Sequence, residues 1–469
     1  MSTTPDRLTA IDGTFLELED ADTAAHMHIG ALLVFAERRR RGTPALDEVR
    51  SFVDGRLDAL PRYRQRLAGL SAGGLGWQRW VPDEHFDVAR HIRAATLPAP
   101  GGMNELLAWA GEYYSLRLDR SMPLWEVTVV DGLANGRWAL ATKTHHCLVD
   151  GVGSVDAAHL LLDDVREALA AAPTGDGEER GKPGFARRLV PDSLVHGASA
   201  ALHAATHPVD LARRATALGE LLVRDEIQGA PDTSLNQAIG PRRVIRSVTV
   251  NFDDVRHVKR TLGGTVNDVL LAAACAGLRD LLVARGEHLP ARGIRAMVPM
   301  NIRQPDEHGD ALGNHINSLF INLPVAEPDP ARRYSRIREV TSTVKESALP
   351  LGADTLLRLT GIAPPVLHHL IAKSLFAKRL FNVTITNVPG PQVRMTAFGA
   401  PLETVWPLVP LATDHAVGVA IISYDGHLCF GINADLDSVP DVDVLVAGID
   451  RGIADLQQLA GAEHPAVTL

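Results

Sequence analysis

"THHCLVDGVGS", Thr144 to Ser154, sets two histidines side by side and an Asp-Gly pair shortly after them. The lead-in "RWALATKT" alternates Trp138, Leu140, Thr142 and Thr144 and reads as a strand. The following "VGSVDAAHLLLDDVREAL" carries apolar residues at helical spacing, from Val155 through Ala158 and Leu162 to Val165. His145 and His146 therefore fall where a strand gives way to a turn and then a helix. Gly151 and Gly153 supply the backbone freedom such a turn needs.

Neighbouring side chains on a strand point to opposite faces. If the strand persists to its end, one histidine faces a reaction cavity and the other faces the protein's own packing. Asp150, four residues past His146, can return toward the strand end through the intervening turn. A histidine placed there suits general-base chemistry, because its ordinary pKa lies near neutrality. The competing reading is a hydrogen-bonded structural pair. His368-His369 in "VLHHLIAKSL" takes that reading, since it lies in a helical pattern with no Asp-Gly behind it. Zinc ligation by His145, His146 and Asp150 is disfavoured, because adjacent diverging side chains chelate poorly. A nucleophilic Cys147 needs a base beside it. His146 would point away from it, which leaves Cys147 as a small packed residue.

The chain has 469 residues, enough for two or three domains with substantial cores. Hydrophobic residues make up 46% and charged residues 22%, the balance of a globular enzyme. A net charge of -9 argues against a nucleic-acid partner. Three scattered cysteines form neither a disulfide framework nor a structural zinc site, and fit a reducing cytoplasm. No export signal is visible at the N-terminus. The longest charge-free run, Ser193 to Val209, holds three histidines and Pro208 and makes a poor membrane span. Contact with lipid is expected to be peripheral.

"AAPTGDGEERGKPG", Ala171 to Gly184, has no apolar period and reads as an exposed loop. A helical stretch follows it. On either side, strand-like and helix-like segments alternate, including "RRVIRSVTVNF", "GIRAMVPMNIR" and the helix "PARRYSRIREVTSTVKES". "AVGVAIISYDGHLCFGINADL" reads as two strands joined at Asp425-Gly426. The expected organisation is a first α/β domain over residues 1–170, an exposed loop and helical connector over 171–235, and a second α/β domain over 236–469.

"HHCLVDG" fits an HHxxxDG motif, and with it the chain resembles the bacterial wax ester synthase/diacylglycerol acyltransferases, within the CoA-dependent acyltransferase superfamily. "LTAIDGTFLELED" (Leu8 to Asp20) is similar to that family's opening motif, with "LTAIDG" in place of the commoner "LSPLDA". "HMHIGALLVF", "PLWEV" (Pro123 to Val127), "TVNDVLLA" (Thr265 to Ala272), "LGNHINSLFINLP", "TNVPGP" (Thr386 to Pro391) and "SYDGHLCFGINADLD" follow in the family's order. The similarity covers nearly the whole chain.

The resemblance implies two chloramphenicol-acetyltransferase-like domains with a substrate tunnel between them. It implies acyl transfer from long-chain acyl-CoA to diacylglycerol or a fatty alcohol, at a membrane or lipid-droplet surface. Acyl-CoA is then a substrate, and no cofactor or metal is expected. The resemblance also selects His146 as the base, with His145, Asp150 and Gly151 in support. Pro123, Leu124, Trp125, Thr386 and Asn387 become candidates for the tunnel wall, each with a plainer reading as core or interdomain architecture. Thr265 and Asp268 have the spacing of a helix cap, while Asn267 beside them is open between a substrate contact and the tunnel wall. Arg303 is a candidate partner of Asp150. Two other functions compete: a condensation-type enzyme of complex-lipid assembly, and a non-catalytic lipid-binding protein. The PLW, ND and TNVPGP motifs together argue against the first, and the intact His146, Asp150 and Gly151 against the second.

Overall fold

A computed structural model describes residues 6–8, 10–38, 42–68, 78–148, 160–163, 229–301, 316–347 and 380–462. The loop and helical connector expected over 171–235 fall almost wholly outside the described residues. So do Asp150, Gly151, Arg303 and the His368-His369 pair.

The first part of the chain runs β1 (Asp6–Arg7), α1 (Ala10–Ala21), β2 (His28–Phe35), α2 (Leu46–Asp54), β3 (Gln65–Ala68), β4 (Arg79–Pro82), α3 (Val88–His91), β5 (Ile92–Thr96), α4 (Met103–Tyr114), β6 (Trp125–Asp131) and β7 (Trp138–His145). The second runs β8 (Arg243–Asn251), α5 (Phe252–Leu262), α6 (Val266–Ala284), β9 (Ile294–Asn301), β10 (Ile316–Leu323), α7 (Pro330–Ser347), β11 (Val383–Val388), β12 (Thr396–Ala397), β13 (Ala400–Leu408), β14 (Val417–Tyr424), β15 (His427–Asp435) and α8 (Val442–Ala462). The architecture is mixed α/β with two sheet-containing halves.

In the second half, six strands lie in the order β10-β9-β11-β14-β15-β8. β11 runs parallel to β9 and β14, and the other pairs are antiparallel. Helices α6 and α8 supply Leu270, Leu281, Ile449 and Leu456 to the same core as Ile294, Val383 and Val419 of the sheet. The two helices meet through glycines: a Cβ on Gly448 would lie 2.6 Å from the Gly277 Cα. The expected hairpin turn is present, with Asp425 at φ 42° and Gly426 at φ 78°, the two left-handed residues such a connection requires.

The first half holds a sheet in the order β12-β13-β2-β7-β6-β5. β12 and β13 come from the second half of the sequence, and β13 pairs antiparallel with β2. The boundary expected at residue 236 thus divides the sequence but not the sheets. Trp406 of β13 packs in one core with Leu32 and Leu106 on one side and Ile245 and Cys429 on the other.

β7 lies between β2 and β6, and all eight of its residues are buried, including Lys143. An interior strand covered on both faces buries its polar side chains as well as its apolar ones. Lys143 and Thr142 find partners on neighbouring segments. Lys143 Nζ donates to the Tyr113 and Leu116 carbonyls at 2.7 and 2.9 Å and lies 2.8 Å from Glu126 Oε1. The Thr142 hydroxyl accepts from the Ala31 N–H at 3.0 Å.

Candidate active site

The strand ends at His145, and His146 begins the turn, so strict alternation stops between them. His145 is fully buried and His146 half-buried. Two backbone bonds hold the pair. The His145 N–H donates to the Leu124 carbonyl at 2.9 Å, and the His146 N–H to the Met27 carbonyl at 2.8 Å.

Both side chains meet α1. The ring of His146 stacks on Phe15, with centroids 3.9 Å apart and planes 19° from parallel. His145 Nε2 lies 3.2 Å from Glu19 Oε2. Phe15 and Glu19 are four residues apart, so one face of one helix addresses both histidines. The Cys147 N–H donates to His145 Nδ1 at 3.1 Å. A neutral His145 that accepts at Nδ1 must carry its proton on Nε2 and donate it to Glu19.

The electrostatics follow from burial. Burial alone would raise the Glu19 carboxyl, but hydrogen bonds and charge from His145 and Arg117 outweigh it and hold the pKa at about 2. Arg117 Nε sits 3.3 Å from Glu19 Oε1, and His28 Nε2 lies 3.5 Å from that same oxygen. Burial lowers His145 and His28 below the ordinary histidine value. His26 falls to about 4, from burial first and then the charge of Arg243. His146 is likewise lowered to about 4 by burial, against the opposing pull of its own backbone carbonyl. Its Nδ1 is inaccessible and makes no hydrogen bond of good geometry, while the ring as a whole stays partly accessible. The result is an imidazole that is neutral near pH 7 and able to accept a proton.

Cys147 is 2% exposed, and burial pushes its thiol well above the ordinary range, which is the setting of an inert packed cysteine. Among the described residues no group of three or more His, Cys, Asp or Glu is arranged to hold a metal ion.

Leu124 and Trp125 are core residues. The Trp125 indole N–H donates to the Tyr63 carbonyl at 2.8 Å, its ring stacks on His91 at 4.5 Å, and its carbonyl lies 2.8 Å from His91 Nδ1. The PLW segment therefore anchors the strand end from behind, and Leu124 does so directly through its carbonyl. Pro123 and Trp125 also border a cavity of about 270 Å³ at the β5 edge.

Thr265 and Asp268 form the expected reciprocal cap. The Asp268 N–H donates to the Thr265 hydroxyl at 3.2 Å, and the Thr265 N–H to Asp268 Oδ2 at 2.7 Å. The Thr341 hydroxyl adds a bond to Asp268 Oδ1 at 2.7 Å. Asn267, in the same first turn of α6, is half-buried. Thr386 and Asn387 lie on β11 rather than in the turn after it, both half-buried. That turn begins the passage to β12 and β13, and Gly390 permits it: a Cβ there would lie 2.2 Å from the Ser423 carbonyl oxygen.

Phe15, Glu19, His28 and Arg117 were not singled out from the sequence. The i,i+4 spacing of Phe15 and Glu19 in "LTAIDGTFLELED" was the available signal, but it does not say what that helix face meets.

The fold is similar to that of solved condensation domains. The first condensation domain of the CDA synthetase matches with a TM-score of 0.58 at 16% identity, covering all of this chain and 98% of that one. The wax ester synthase/diacylglycerol acyltransferase from Marinobacter aquaeolei VT8 matches with a TM-score of 0.67 at 27% identity, covering 98% of this chain and all of that one. The two-sheet architecture is thus that of the chloramphenicol-acetyltransferase-like class, a fold shared with the Marinobacter acyltransferase.

Relatives sharpen the assignment. The probable diacylglycerol O-acyltransferase tgs1 of Mycobacterium tuberculosis (strain ATCC 25618 / H37Rv) is 31% identical over 459 residues, covering 96% of this chain and 95% of that protein. The probable diacylglycerol O-acyltransferase tgs2 of the same strain is 30% identical over 458 residues, covering 96% and 98%. The wax ester synthase/diacylglycerol acyltransferase catalytic domain matches residues 8–270, and the WS/DGAT C-terminal domain matches 312–457. The chain belongs to the wax ester synthase/diacylglycerol acyltransferase family.

Proposed function

We propose that this enzyme transfers a long-chain acyl group from acyl-CoA to the free hydroxyl of diacylglycerol, forming triacylglycerol, and that it also accepts long-chain alcohols, forming wax esters. The observation that carries the reading is His146: neutral, partly accessible, and clamped at a strand end by Phe15 and the Met27 carbonyl. Family membership supports the substrate class.

In this reading His146 is the base. The acceptor hydroxyl gives its proton to the imidazole as its oxygen attacks the thioester carbonyl. The C–O bond forms, the C–S bond breaks, and the proton passes from His146 to the departing CoA thiolate. A base of this kind contributes roughly a hundred- to ten-thousand-fold. His145 is the positioning partner, with its two nitrogens committed to Glu19 and to the Cys147 N–H. Asp150 and Gly151 are assigned supporting roles in this reading, and Leu124 and Trp125 brace the strand end. Asn267, Pro123, Thr386 and Asn387 support the substrate path.

Long-chain substrates partition into membranes and droplets, and each buried methylene is worth about 0.8 kcal/mol. Among the described residues no helix is long and apolar enough to cross a membrane. In this reading the enzyme works in the cytoplasm, attached peripherally to a membrane or lipid droplet where its substrates collect. The test compares palmitoyl-CoA with acetyl-CoA, each offered diacylglycerol and hexadecanol in lipid vesicles. Palmitoyl transfer to diacylglycerol supports the reading. A preference for acetyl-CoA, or no transfer to either acceptor, overturns it.

A further inference from the structure

We propose that the cavity at the β5 edge is where the protein docks on an anionic lipid surface. The inference rests on the peripheral attachment proposed above and assigns it a place. β5 ends its sheet, pairing with β6 and with no other described strand. Beside it, the end of α4, the loop after it and the start of β6 enclose a cavity of about 270 Å³.

The lining joins two chemistries. Arg90, Arg93 and Arg117 bring three guanidinium groups to it. Arg90 and Arg93 are exposed and make no ion pair among the described residues, while Arg117 is shared with Glu19. Two carboxylates also face the cavity. Glu126 is matched by the buried Lys143 at 2.8 Å, and Asp119 accepts from the Ser121 N–H and hydroxyl. The balance is locally positive on a chain whose net charge is -9. Leu116 stands at the same cavity, 65% exposed, with Trp109 half-buried nearby. The phenol of Tyr113, a residue only 8% exposed, lines the cavity without a hydrogen bond of good geometry.

An apolar tip flanked by the exposed Arg90 and Arg93, whose two charges exceed the single Asp119 carboxylate near them, complements a surface of lipid phosphates over acyl chains. The arginines draw the phosphates, and Leu116 enters between headgroups. An acidic protein would otherwise be repelled from such a surface, so a local positive site sets which face turns toward it. Arg117 spans the cavity and Glu19, which places this face next to the residues that hold the histidines.

Co-sedimentation with vesicles of phosphatidylcholine, alone or mixed with phosphatidylglycerol, tests the proposal on the full chain. The wild type should bind the mixed vesicles more strongly, and salt should weaken that binding. Arg90→Gln/Arg93→Gln should lower partition into mixed vesicles by roughly thirtyfold. Leu116→Ser should weaken binding to both vesicle types. Both variants should retain acyl transfer to detergent-dispersed diacylglycerol, so loss of docking is separated from loss of catalysis or fold. Equal partition of the double variant and the wild type overturns the proposal. So does binding of inorganic phosphate that the double variant abolishes while vesicle binding persists. An inactive wild type that still docks through these residues would refute the proposed reaction and leave the docking surface standing.

Discussion

Replacing Glu19 with glutamine tests the clamp on the histidines. The carboxylate is 1% exposed as a residue, 3.2 Å from His145 Nε2 and 3.3 Å from Arg117 Nε, and its pKa falls from an ordinary 4.5 to about 2. A carboxyl held below its unfolded value stabilises the fold above that value and loses the contribution as pH falls through the folded one. The contribution is therefore complete at neutral pH, amounts to about 3 kcal/mol, and is lost between about pH 4.5 and 2. Glutamine keeps the shape and an oxygen for His145, removes the charge, and turns an amide toward Arg117 or His28. Thermal and urea melts at pH 7 should show Glu19→Gln destabilised by about 3 kcal/mol, roughly 6–12 °C in a cooperative unit of 150–250 residues. Because the same helix face carries Phe15, kcat should fall while KM for acyl-CoA stays close to wild type. A variant that melts with the wild type and keeps its kcat would refute the clamp.

His146→Ala should lose roughly a hundred- to ten-thousand-fold in acyl transfer with a near-native melting temperature, whereas His145→Ala should be visibly less stable; the opposite pattern would reverse the roles. Cys147→Ala should keep substantial activity, and mass spectrometry after incubation with acyl-CoA alone should show no acyl-enzyme, since burial keeps the thiol protonated. His26, His28, His145 and His146 are all lowered by burial, so they favour the neutral fold above the ordinary value of 6.5. Melting temperature should therefore decline as pH falls from 6.5 toward 4, and His26→Gln should blunt the decline. The acid limb of kcat/KM should lie near pH 4 to 5, and a limb at 6.5 would contradict a buried base.

Much of this molecule is written locally. The helix over Pro330–Ser347, the Asp425-Gly426 hairpin and the Thr265/Asp268 cap follow from periodicity, turn chemistry and spacing, which act within a few residues. The strand leading to the histidines was legible for the same reason, and the motif resemblance led to the family that the comparisons show. Tertiary structure decided the rest. β13 joins a sheet whose other long strands lie in the first part of the chain, and no local pattern in "APLETVWPL" names β2 as its partner. Lys143 is a charged residue on an interior strand, readable only once Tyr113, Leu116 and Glu126 are seen to satisfy it. Strand parity offered opposite faces for the two histidines, but the strand ends at His145 and both rings meet α1, which no local pattern supplies. Glu19 and Phe15 reach them across more than a hundred residues of sequence, because burial and charge pairing act through space.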